Sequence, residues 1–82
     1  MLIDVIQVKY VQDYVLYLRF EDGLEGNIDI SKHISFQGVF SRLKDLSYFQ
    51  TVLVNSDIGT IVWDNGADIS PSFLYSVISK AA

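Results

Sequence analysis

The sequence has no cysteine, one histidine, one proline and one tryptophan in 82 residues. Without cysteine there is no disulfide, no thiolate nucleophile and no thiolate metal ligand. The single histidine, His33, lies in the polar run Ser31-Lys32-His33. A hydrolytic triad needs a base, a nucleophile and an orienting group within hydrogen-bond reach. No Gly-x-Ser-x-Gly motif supplies the nucleophile, so His33 reads as a surface residue. Positive charge is also scarce: six Lys and Arg stand against ten Asp and Glu, a net charge of −4. The basic residues (Lys9, Arg19, Lys32, Arg42, Lys44, Lys80) are scattered along the chain. This argues against a direct nucleic-acid binder or an electrostatic membrane anchor, both of which need a clustered basic face.

Further absences narrow the address and the chemistry. No apolar run approaches the ~20 residues that span a bilayer. The opening Met1-Leu2-Ile3-Asp4-Val5 lacks the basic-then-apolar pattern of a signal peptide. A cytoplasmic location is therefore expected. Gly23, Gly26, Gly38, Gly59 and Gly66 form neither the dinucleotide fingerprint nor the Walker spacing. No cofactor is expected.

What is present is a dense apolar complement. Half of the residues are hydrophobic and 20% are charged, the balance of a folded domain. Residues 1–82 are read as a single domain. A chain this short leaves much of its surface exposed, which favours oligomerisation, a homodimer being the simplest case.

Ile3 to Tyr10 reads as a first strand with a change of phase, since Ile3 and Val5 alternate out of step with Ile6, Val8 and Tyr10. Such a change implies a bulge or burial on both faces. Tyr14 to Phe20 alternates cleanly, with Tyr14, Leu16, Leu18 and Phe20 on the core face. Glu21-Asp22-Gly23 is a turn, with Gly23 as its positive-φ residue. Leu24 to Ile30 is a third strand, completing a meander. The middle of the chain reads as one-turn or two-turn helices carrying Phe36, Val39, Phe40, Leu43 and Phe49 over the sheet. Thr51–Asn55 and Thr60–Trp63 form a second hairpin.

The richest stretch is Gly59 to Pro71. It joins a β-branched and aromatic strand ending in Trp63 to an Asp64-Asn65-Gly66 turn and then to Ser70-Pro71. Asn65 tolerates left-handed backbone and Gly66 supplies positive φ. Ser70 is a helix cap and Pro71 suits the first helical position. Ile69 and Leu74 occupy the positions of a hydrophobic staple. Leu74, Val77, Ile78 and Ala81 then give a helical stripe over Pro71–Lys80. The fold class is α+β: a small, mainly antiparallel sheet of about five strands, short middle helices, and a C-terminal helix packed on one face.

Two carboxylate readings compete near the turn. Asp64 and Asp68 offer oxygens to a hard cation, but the calcium-loop pattern of alternating acids and a later glutamate is missing. A turn, with Asp68 bonding nearby backbone N–H groups, is the expectation. Asp22 with Asp29 or Asp68 would have to converge in a cleft to act as an acid–base pair. Tyr17 and Tyr48, where exposed, would suit a protein interface. The open edges of a small sheet offer a second route to strand-mediated binding.

One resemblance fits these residues. Phe20-Glu21-Asp22-Gly23, Asp29, Gly38-Val39-Phe40 with Leu43, Asp45 and Phe49 precede the run Gly59-Thr60-Ile61-Val62-Trp63-Asp64-Asn65-Gly66-Ala67-Asp68-Ile69, followed by Pro71 and Leu74. In that order the chain resembles the small bacterial family known as domain of unknown function 2442. It departs at Asp64, where many members carry proline. Gly23, Trp63, Asn65, Gly66, Asp68 and Pro71 are its structural signature. The resemblance implies a compact α+β domain without an established activity, cofactor or catalytic residue. It also implies members fused to helix-turn-helix segments, and stand-alone members paired with another small protein in the manner of toxin–antitoxin genes. With the run stopping at Ala82, no DNA-reading helix pair is expected within it.

The reading that follows is a non-enzymatic, antitoxin-like interaction module whose partner is a small basic protein encoded nearby. The alternative is a ligand-sensing domain, which requires an apolar pocket with converging polar groups. An enzyme using Asp22, Asp64 and Asp68 ranks last.

Overall fold

Alternation builds the first half of the fold. The computed structural model describes residues 3–81. Strands β1 (Val5–Gln12), β2 (Val15–Phe20) and β3 (Glu25–Asp29) form an antiparallel meander in the order β1-β2-β3. Leu16, Leu18 and Phe20 are fully buried, while Val15 and Tyr17 are half-buried and Arg19 is exposed. The phase change in β1 is a bulge: its register against β2 shifts between Val5 and Gln7. Val5 is buried before it, Val8 and Tyr10 pack on the core after it, and Ile6 is left outside. The bulge re-aims the strand so that both apolar sets reach one core. At the β2–β3 turn Gly23 has φ +95°, its N–H donates to the Phe20 carbonyl at 3.0 Å, and Asp22 Oδ1 accepts from the Leu24 N–H at 3.0 Å.

Three short helical pieces follow: 3₁₀ turns at Ile30–Lys32 and Gly38–Lys44, then α1 (Leu46–Phe49). Two of them start identically. Asp29 Oδ1 accepts from the Ser31 N–H at 3.0 Å and the Ser31 hydroxyl at 2.6 Å. Asp45 Oδ1 does the same with the Ser47 N–H at 3.0 Å and hydroxyl at 2.7 Å. Each Asp-x-Ser unit satisfies amides that a helix start leaves unpaired.

Strands β4 (Leu53–Asn55) and β5 (Thr60–Val62) form the second hairpin. The five strands are thus divided into sheets of three and two. The division has a local cause. The outer side of β5 is taken by its own chain, through a Val62–Asp68 bridge and the Trp63 N–H donating to the Ala67 carbonyl at 2.9 Å. The two sheets meet where the Val5 N–H donates to the Gly59 carbonyl at 2.9 Å. Gly59 has φ +70°, and a Cβ there would lie 2.3 Å from Asp4 Oδ1. Only glycine fits both conditions.

Helix α2 (Pro71–Ala81) closes the fold over the meander. It approaches β3 at Gly26, where a Cβ would meet Ile78 Cγ2 at 3.0 Å. The Phe20 and Tyr75 rings meet edge to face at 5.1 Å, and the Tyr75 hydroxyl donates to Asp22 Oδ2 at 2.6 Å. Leu74 and Ile78 of the expected stripe are buried. One core cluster results, with Phe49 at its hub. Its ring meets Tyr10 at 6.2 Å, Tyr14 at 5.3 Å and Trp63 at 5.8 Å.

Candidate functional site

The Trp63–Pro71 stretch is a clasp between two elements. Trp63 is buried, and its indole N–H donates to the Phe49 carbonyl at 3.0 Å. A turn closes behind it, with the Gly66 N–H donating to the Trp63 carbonyl at 3.1 Å and Gly66 at φ +91°. Asp64 fills the first inner position of this turn, where proline is also at home. Its Oδ1 accepts from the Tyr48 hydroxyl at 2.5 Å, and that hydroxyl accepts from the Asn65 N–H at 3.0 Å. Asn65 bonds in both directions: Oδ1 accepts from the Ala67 N–H at 3.1 Å, and Nδ2 donates to the Val39 carbonyl at 3.0 Å.

Two expectations change here. Tyr48 is not an exposed interface residue; it is 9% exposed, with Arg42 lying 3.9 Å from its ring centroid. Burial and then the Asp64 carboxylate raise the pKa of its hydroxyl. Asp68 does not bond neighbouring amides. Asn65 takes that role, because its side chain enters the turn one residue before Gly66.

Tyr17 lies elsewhere, half-buried on the outer face of the meander. Its hydroxyl donates to Glu25 Oε1 at 2.7 Å, which is the leading cause of its raised pKa. The acidic candidates are dispersed among separate partners: Asp22 with Tyr75, Asp29 with Ser31, and Asp64 with Tyr48. Among the described residues no three His, Cys, Asp or Glu side chains gather where they could hold a metal ion.

Asp68 and His33 come together instead. They line one groove of about 270 Å³ with Ile34, Phe40, Ile69, Ser70 and Phe73. The groove is open to solvent. His33 meets the Phe73 ring edge to face at 5.8 Å, and Phe73 is 38% exposed. Ser70 caps α2, its Oγ accepting from the Phe73 N–H at 3.4 Å. Asp68-Ile69-Ser70 is therefore a third Asp-x-Ser unit, wired differently from the first two. Serine does the capping, and the exposed Asp68 carboxylate takes part in none of the side-chain hydrogen bonds among the described residues. The sequence alone gives little sign of the groove, because its lining comes from three separated segments. Phe73, off the buried stripe of α2, is the one local hint.

The stretch from the first buried core residue, Val5, to the last, Ile78, carries the whole architecture. The family model described as Protein of unknown function (DUF2442) matches residues 5–78. This chain belongs to that family. Gly23, Trp63, Asn65, Gly66 and Pro71 all serve the fold, as turn, anchor, turn and helix start. Asp68 differs: it pairs with Val62 in an isolated bridge and lines the groove. No curated protein and no solved structure matches the chain. No helix among the described residues is long and apolar enough to cross a membrane.

Proposed function

We propose that this DUF2442 protein is a non-enzymatic, cytoplasmic interaction module, the antitoxin-like member of a pair with another small, basic protein encoded beside it. The observation that carries the reading is the open groove beside α2. It offers apolar side chains, Ile34, Phe40, Ile69 and Phe73, on an acidic protein. A net charge of −4 favours a basic partner, since complementary charge speeds and orients association. Self-association into a homodimer is the competing use of the same surface.

A ligand-sensing role is the second reading, and it rests on the same groove. Pockets for small molecules enclose roughly 300–1,000 Å³ and bury most of the ligand. A groove of about 270 Å³ that opens to solvent suits one side chain of a protein better. Co-expression with the neighbouring gene product, followed by size-exclusion chromatography, tests the reading. A stable complex is expected; separate elution of the two proteins contradicts it.

A further inference from the structure

We propose that the groove of His33, Phe40, Asp68, Ile69 and Phe73 receives one large apolar side chain of a partner segment, with a Lys or Arg next to it pairing with Asp68. The inference rests on the interaction reading above and assigns it a place and a chemistry.

The floor is apolar. Ile34, Phe40, Ile69 and Phe73 supply it, and Phe73 leaves an edge in solvent. Ile69 is anchored as the staple residue before the cap and is only 4% exposed, so the floor is preformed. The volume accommodates one side chain of Leu or Phe size rather than a drug-sized molecule.

The charge of the occupant is decided by counting amides. A helix N-terminus attracts anions through its unpaired N–H groups. At α2 that capacity is largely used. Pro71 has no N–H, the Phe73 N–H goes to Ser70 Oγ at 3.4 Å, and the Leu74 N–H goes to the Ser70 carbonyl at 3.1 Å. An incoming anion would also face the Asp68 carboxylate. In the other two Asp-x-Ser units the carboxylate is bound by serine. In this one it is not, so it is free to accept from an ammonium or guanidinium. The negative charge of the whole protein adds in the same direction.

The test uses two short capped peptides with a central phenylalanine, one flanked by lysine and arginine, the other by glutamates. Each is titrated into the isotope-labelled protein and followed by nitrogen–proton correlation NMR. The basic peptide is expected to move the amides of His33, Ile34, Asp68, Ile69 and Phe73, and the acidic one is not. Asp68→Asn should weaken the basic peptide about two- to fivefold, the range of an exposed ion pair, and added salt should do the same to the parent. Phe73→Ser should abolish binding. Both positions are exposed, so unchanged melting curves confirm that the variants fold. Equal binding of the two peptides, shifts centred elsewhere, or no shifts at millimolar peptide overturn the groove assignment. A co-expressed partner that stays bound to both variants also overturns it while leaving the interaction reading intact. Absence of any co-eluting partner strikes that reading instead.

Discussion

The Trp63 indole N–H donates to the main-chain oxygen of Phe49 at 3.0 Å, and the two rings lie 5.8 Å apart. One residue of α1 thus holds the end of β5 by both packing and a buried hydrogen bond. Phe49 also meets Tyr10 and Tyr14, so the pair ties the clasp to the meander.

Trp63→Ala should cost roughly 3–5 kcal/mol. That is a large fraction of the stability of about 5–15 kcal/mol available to a typical domain. Trp63→Phe keeps most of the packing and leaves the Phe49 carbonyl with only the longer bond from the Val52 N–H at 3.4 Å, a loss of about 0.5–1.5 kcal/mol. Urea denaturation measures both. A Trp63→Ala protein with native stability but no partner binding would make the clasp a binding site rather than a structural one.

Gly59 and Gly66 should respond differently to alanine. Both have positive φ, +70° and +91°, so each substitution carries backbone strain of about 1–3 kcal/mol. At Gly66 a Cβ meets nothing within 4 Å, whereas at Gly59 it would lie 2.3 Å from Asp4 Oδ1. Gly59→Ala should therefore be the more destabilising by thermal melting. Adding Asp4→Ala should recover the difference between the two and leave the strain.

Acid sensitivity should involve Asp22. The Tyr75 hydroxyl, followed by the Leu24 N–H, holds its carboxyl below the usual range. A carboxyl lowered on folding contributes stability that is present above its unfolded value, about 3.9, and lost as the pH falls through the folded one. Tyr75→Phe should move the Asp22 titration up toward the ordinary value and flatten the acid loss of stability. Carbon-detected NMR of the Asp22 carboxyl reads the first effect and melting against pH reads the second.

The alkaline side should involve Tyr48. Its hydroxyl is raised by burial first and by Asp64 second. A group raised on folding stabilises below its unfolded value, about 10 for tyrosine, and that contribution disappears as the pH rises through the folded value. Tyr48→Phe removes both the bond to Asp64 and the acceptor for the Asn65 N–H. It should lower the melting temperature at neutral pH and weaken its decline above about pH 10.

Local chemistry made much of this fold legible. The alternation of Leu16, Leu18 and Phe20 marks β2, the phase change marks the bulge after Val5, and Ser70-Pro71 marks the start of α2 within a residue. What stayed hidden depends on partners far along the chain. Tyr48 is buried because Asp64 and Asn65, 16 and 17 residues away, return to it. Asn65 rather than Asp68 serves the turn, and its second bond reaches back 26 residues to Val39. The same return brings Asp68, Ile69 and Phe73 beside His33 and Phe40, making a groove that no single segment announces.

We propose that this acidic domain works by holding a small basic protein. Native mass spectrometry of the chain co-expressed with its neighbouring gene product tests it most directly. A heteromeric ion is expected, weakened by Asp68→Asn and lost with Phe73→Ser. Recovery of the parent chain only as a free monomer or as its own homo-oligomer would contradict it.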